Sequence, residues 1–153
     1  MGLSGVIDTT GLGLKFLSKA ITFDGTAGNG AIGNVVYFTI TGAVHVVSWD
    51  AVVEVTVGVD GGTGVASCSL GTTGTTTLFV AATTATLLTT TNKLWYSATP
   101  NANGIALPAT YKDIAVQQNL VLAVTSSGTQ KVNAGRIRLT VSYLPTTADG
   151  QLV

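Results

Sequence analysis

His45, the only histidine, lies five residues before Asp50, and the two supply part of a Ser-His-Asp relay. Such a relay needs a serine presented on a sharp strand-to-helix elbow, and no G-x-S-x-G string occurs. His45 falls instead on the apolar face of its segment, which suits a hydrogen-bonded core or interface histidine. Zinc needs three or four nitrogen, sulfur or carboxylate ligands; beside His45 the chain offers one thiol, Cys68, and scattered carboxylates. Gly28-Asn29-Gly30-Ala31-Ile32-Gly33 matches G-x-G-x-x-G, with Asp50 downstream. That fingerprint holds a pyrophosphate only where the glycines open a helix, and here Val35-Val36-Tyr37-Phe38 reads as strand. Asp60-Gly61-Gly62-Thr63-Gly64 carries one carboxylate, too few for a calcium loop. Trp49, Trp95 and Tyr96 could stack a sugar ring, although such residues more often build the core. The seven acids are spread over turns and give no glycosidase pair. These residues indicate no enzyme and no cofactor.

The elements that would position them are strands. The chain has 153 residues, of which 26 are threonine and 19 glycine, with a single glutamate, Glu54. Threonine and valine fit a pleated surface better than a helix. Ile137, Leu139, Val141 and Tyr143 alternate with Arg136, Arg138, Thr140 and Ser142, which is period two with one wet face. Pro145 closes that strand. From Ala43 to Val59 the odd positions, including His45, Val47, Trp49, Ala51, Val53 and Val55, form an apolar face. The stretch is too long for one flat strand and predicts a bulge. Further strands are expected at Val35–Ile40, Val65–Leu70, Thr76–Val80, Leu94–Ser97, Asp113–Val116 and Leu120–Val124. Thr41-Gly42 and Asp60-Gly61-Gly62 read as turns, and Pro100–Thr110 as a structured loop. Thr83–Thr91 reads as strand or loop, with Leu87-Leu88 packing inward. The pattern predicts an all-β, single-domain antiparallel sandwich, jelly-roll-like, over residues 21–153. Residues 1–20 read as an N-terminal arm, either a frayed end with one short helix or a segment docked on a neighbouring subunit through Leu14, Phe16 and Leu17.

Charge bounds the partners. Seven basic and seven acidic residues cancel, and charged residues make up only 9% of the chain, against roughly 25% in an ordinary domain. No basic patch exists for nucleic acid, and no apolar run reaches the ~20 residues of a membrane span. Asp8, Lys15 and Lys19 argue against a secretory signal at the N-terminus. A lone cysteine excludes an intrachain disulfide and fits assembly inside a cell. Sheets so poor in charge have little protection against edge pairing, so the expectation is that partners cover them. Arg136 and Arg138 share one wet face, where they either meet acids of a neighbour or stay solvated.

A resemblance supports this. Ile21-Thr22-Phe23-Asp24-Gly25-Thr26-Ala27-Gly28 running to Gly33-Asn34-Val35, then Leu78-Phe79-Val80-Ala81-Ala82-Thr83, Leu94-Trp95-Tyr96-Ser97-Ala98-Thr99-Pro100, Tyr143-Leu144-Pro145 and Ala148-Asp149-Gly150, resemble a family of small tailed-bacteriophage virion proteins. The resemblance spans about residues 21–150, leaves the first 20 outside, and carries over no functional residues. It implies a non-enzymatic capsid decoration or cement protein, located in the virion and assembled in the host cytoplasm. Its partners would be copies of itself, as a trimer or other homo-oligomer, and the major capsid protein. The candidate assembly contacts are Leu14, Phe16, Leu17, Arg136 and Arg138. The alternatives are a tail, baseplate or adhesion component and a carbohydrate-binding module built on Trp49 or Trp95.

Overall fold

A computed structural model describes residues 13–111 and 113–153. Its strands are β1 (Lys15–Thr22), β2 (Gly33–Phe38), β3 (Ile40–Thr41), β4 (Val44–Val59), β5 (Ala66–Thr72), β6 (Val80–Thr84), β7 (Ile114–Val116), β8 (Leu120–Ser126), β9 (Val132–Pro145) and β10 (Gln151–Leu152). One sheet has the order β1-β9-β4-β7, a second β2-β8-β5-β6, and β10 and β3 make a small ribbon. Every pairing within them is antiparallel. Set β3 and β10 aside and number the other eight in chain order. The sheets then read 1-8-3-6 and 2-7-4-5, and every connection but one crosses between sheets. This is the jelly roll of two interlocked Greek keys, as the sequence predicts.

The two inner faces meet over a core that includes Ile21, Val35, Val46, Val53, Leu70, Leu122, Ile137 and Val141. Tyr37 is fully buried in it, and its hydroxyl donates to the Ile137 carbonyl at 3.0 Å, tying β2 to β9 across the sandwich. Burial pushes the Tyr37 phenol well above its usual range. The same desolvation pushes the Cys68 thiol up to about 12, which leaves it a small core hydrophobe.

β4 contains the expected bulge, and more than one. Val46 pairs with Tyr143 and Ser48 with Ser142, so Val47 is an extra residue without a partner. A one-residue insertion exchanges the two faces of a strand. Val44 and Val46 are therefore buried before it, and Trp49, Ala51 and Val53 after it. His45 consequently points outward, contrary to the uninterrupted odd-numbered face. A second insertion at Glu54 sends Val55 out to face Arg136. A third irregularity, near Val57, is met by Gly135 at φ +109, where a Cβ would lie 2.6 Å from the Val57 Cα.

The sides of the sandwich are closed differently. β7 covers only Val44–Val46 of the 16-residue β4. Beyond it, the loop from residue 85 to 101 supplies the missing partners. Val57 N–H donates to Leu88 O at 2.8 Å, Val53 N–H to Lys93 O at 2.9 Å and Trp95 N–H to Ala51 O at 3.0 Å. Leu88 and Trp95 enter the core from this loop while Leu87 stays exposed, and Trp95 Nε1 donates to Thr83 Oγ1 of β6 at 2.9 Å. The segment expected as strand at Leu94–Ser97 is thus a loop in which Leu94 alone bridges, to Val52 and to Asn101, and the strand expected at Thr76–Val80 begins only at Val80.

On the opposite side β1 and β2 are edge strands of separate sheets. β1 crosses the boundary expected at residue 20, so residues 15–20 belong to the sheet and pair with β9 of the same chain. The physical reason is the period-two pattern of Leu17 and Ile21, which faces the inner residues Val141 and Ile137. The remainder of the expected arm, residues 1–12, lies outside the described residues. Lys15 and Lys19 occupy the same inward-directed positions as Leu17 and Ile21, and Lys19 Nζ reaches the Val36 carbonyl of β2 at 3.3 Å. Inward-directed lysines on an edge strand oppose further strand addition.

Two carboxylates hold turns. Asp24 accepts from the Thr26 hydroxyl and N–H, and Asp60 accepts from the Lys131 and Gly62 N–H groups at 2.9 and 3.1 Å. Thr26 holds the Asp24 carboxyl below the usual range, and the Lys131 and Gly62 donors do so for Asp60.

Two outcomes follow from this packing. Trp95→Ala lowers the unfolding free energy by about 3–5 kcal/mol in urea titration, the usual cost of emptying a large buried site. A depressed carboxyl pKa stabilises the fold above the ordinary carboxylate range, and that stability is lost as pH falls through it. Asp60→Asn should therefore show a smaller drop in urea midpoint between neutral and acid pH than the unsubstituted chain.

Candidate functional site

The outer face of β1, β9 and β4 gathers three of the five candidate contacts. Register places Phe16, Ser18, Ala20 and Thr22 of β1 beside Ser142, Thr140, Arg138 and Arg136 of β9. On the other flank of β9 stand Ser48, Asp50, Val52 and Val55 of β4. Facing residues of a pleated sheet lie on one side of it, so Phe16, Arg136 and Arg138 share a surface. Phe16 is 69% exposed and Val55 51%. Leu14 is exposed just ahead of β1. Leu17 does not join them: it faces Val141 and packs against the core.

Every charge on this stretch of the face has a partner inside the chain. Glu54 Oε1 accepts from Arg138 Nε at 2.7 Å and Glu54 Oε2 from Arg136 Nε at 2.9 Å. Arg138 also reaches Thr140 Oγ1 at 3.5 Å. The Asp50 carboxylate accepts the Tyr96 hydroxyl; burial and this carboxylate raise the Tyr96 phenol above its usual range. Each arginine thus gives its Nε–H to Glu54 within the chain. The insertion at Val47 makes this possible, because it sets the even positions from Ser48 onward, Glu54 among them, on the outer side beside both guanidinium groups. Hydroxyls knit the rest: Ser18 Oγ to Thr140 Oγ1 at 2.9 Å and Ser48 Oγ to Ser142 Oγ at 2.5 Å. Sequence reading did not pick out Glu54 as a site residue; its being the only glutamate, at a polar even position of β4, was the signal for it.

The other candidates are placed plainly. Trp49 and Trp95 are 2% and 0% exposed, so neither offers a ring face to a saccharide. Trp49 Nε1 donates to Thr110 O at 2.7 Å, and its ring contacts Phe79, Tyr96 and Tyr111. Tyr96 borders a cleft of about 290 Å³ with Phe79, Thr77, Ser97 and Pro108. His45 is half-exposed on β4, its Nε2 3.4 Å from Asp113 Oδ1, and Asp50 is engaged by Tyr96, so the two do not form a relay. The glycine string Gly28–Gly33 is a loop that leads into β2, not into a helix. Among the described residues no cluster of His, Cys, Asp and Glu could hold a metal ion.

No known family model, curated protein or solved structure matches this chain.

Because each arginine is at least 39% exposed and Glu54 keeps a second partner, Arg136→Ala should cost less than about 1 kcal/mol in urea unfolding. The double change Arg136→Ala with Arg138→Ala, which leaves Glu54 without either cation, should cost clearly more.

Proposed function

We propose that this chain is a non-enzymatic virion component, a decoration protein that binds the outside of a bacteriophage head and reinforces it. The observation that carries the reading is the outer face of β1, β9 and β4, a surface of methyl and hydroxyl groups whose charges are already paired. Covering such a face leaves no lone charge without water, and interface cores are poor in free charge for that reason. The edge lysines discourage strand-by-strand addition, so association would proceed face to face and close rather than run on as a fibre. Jelly rolls serve in viral capsid and lectin domains alike, so the fold permits this role without assigning it.

The mechanism would be contact area. Each copy bridges neighbouring capsid subunits and, as a trimer or other homo-oligomer, engages several sites at once. Multivalent attachment then holds the coat in place although each contact is weak. Phe16 anchors the face and the Arg136–Glu54–Arg138 cluster borders it.

The experiment mixes the purified protein with expanded shells that lack it. Binding in hundreds of copies per particle and a raised shell melting temperature are expected. Phe16→Asp should keep the urea midpoint of the free protein and weaken shell binding by an order of magnitude or more, since burying an unpaired carboxylate is costly. Absence of binding to the shell rejects the decoration role, and a few to dozens of copies located on the tail would assign the chain there instead.

A further inference from the structure

The sequence holds two Asn-Gly dipeptides, Asn29-Gly30 and Asn103-Gly104, and the fold treats them in opposite ways. Glycine has no Cβ to shield its amide nitrogen, so that nitrogen can reach the side-chain carbon of a preceding asparagine. Ring closure also requires the backbone between the two to rotate freely.

At the first dipeptide rotation is blocked. Asn29 N–H donates to Thr26 O at 2.9 Å, and Asn29 O accepts the N–H groups of Asp24 and Gly25 at 2.9 and 3.1 Å. Gly30 sits at φ +116, its carbonyl accepts Val132 N–H at 3.0 Å, and an added Cβ would run into the Val132 carbonyl. This turn is pinned to the start of β9 from both sides.

At the second nothing comparable holds the chain. Asn103 and Gly104 are both exposed, and a Cβ on Gly104 would meet no atom within 4 Å. The Asn103 N–H donates to Asn101 Oδ1 at 2.9 Å. Among the described residues neither the Asn103 side chain nor the Gly104 N–H is hydrogen-bonded. The loop is anchored upstream, where Asn101 and Leu94 exchange two backbone bonds of 2.9 and 3.0 Å, and then only six residues past Gly104, where Thr110 O accepts Trp49 Nε1 at 2.7 Å and Thr110 Oγ1 donates to Phe79 O at 3.0 Å.

We propose that Asn103 is a site of spontaneous deamidation in the folded protein and that Asn29 is protected by its turn. The Gly104 nitrogen loses its proton to solvent and bonds to Asn103 Cγ, the Cγ–Nδ2 bond breaks, and ammonia leaves with a proton from water. Water then opens the five-membered imide. Attack at Cγ gives aspartate; attack at the backbone carbonyl gives isoaspartate, whose main chain runs through the side chain. No oxidant or reductant takes part. The product carries one carboxylate more, so a chain with equal numbers of acidic and basic residues becomes net negative, on the loop that leads to the Tyr96 cleft.

The test incubates the intact protein at mildly alkaline pH and maps its peptides by mass spectrometry, with isoaspartyl methyltransferase labelling to detect the rearranged product. In the folded protein Asn103 should convert about tenfold faster than Asn29 or more, since reaction at Asn29 waits for local opening. In denaturant the two rates should converge, and Gly104→Ala should suppress conversion at Asn103 without moving the urea midpoint. The assignment is overturned if Asn29 keeps pace in the folded protein, if Asn103 stays intact, or if its lead persists undiminished in denaturant.

Discussion

β4 and β9 run side by side through most of the molecule, and a pleated pair must absorb the difference between 16 residues and 14. Each unpaired residue exchanges inner and outer faces for everything that follows it. The insertion at Val47 brings Trp49, Ala51 and Val53 into the core and turns His45 out. The same insertion sets Glu54 on the outer face, and the insertion at Glu54 turns Val55 out. Without the Val47 adjustment the core would lose its large aromatic centre and both arginines would stand alone. The composition of the core and the chemistry of the surface thus depend on where one strand is longer than its neighbour.

Sparse charge shapes the rest. A small sandwich has four sheet edges to manage, and this one has few ionic groups to manage them with. One side is covered by backbone: the loop after β6 hydrogen-bonds to β4 and lowers Leu88 and Trp95 into the core. The other side relies on lysines, with Lys19 reaching across to β2. Several of the remaining charges are spent in pairs or in turns, as with Glu54 between its arginines and Asp60 at the Lys131 and Gly62 N–H groups. What is left exposed on the β1-β9-β4 face is hydroxyl, methyl, the ring of Phe16 and the Glu54-paired guanidinium groups of Arg136 and Arg138. A molecule arranged in this way is protected at its edges and open on a face.

Much of this was legible in the residues, and the places where it was not share a cause. Alternation in β9 was clear because a regular strand repeats every two residues. Pro145, the Asp60-Gly61-Gly62 turn and the loop nature of residues 100–110 were equally readable, because proline and glycine act locally. The N-terminal strand was missed because Lys15 and Lys19 sit at inward-directed positions, where an apolar pattern would be expected. The strands expected at Thr76–Val80 and Leu94–Ser97 had suitable residues, but Thr75 and Leu78 bond within a turn and only Leu94 of the second segment bridges its neighbours. Trp49 and Trp95 favoured a core over a sugar platform, and they are core.

Composition and short-range pattern determined the all-β class, the exclusion of an intrachain disulfide and the scarcity of charge, since these follow from counts and local preference. Tertiary structure decided the faces: which way His45, Val55, Leu17 and Phe16 point, which acid meets Arg136 and Arg138, and what covers the edge of β4. Facing is a matter of register between segments distant in the chain, and a shift of one residue reverses it at almost no local cost. No stretch of sequence read by itself contains that information.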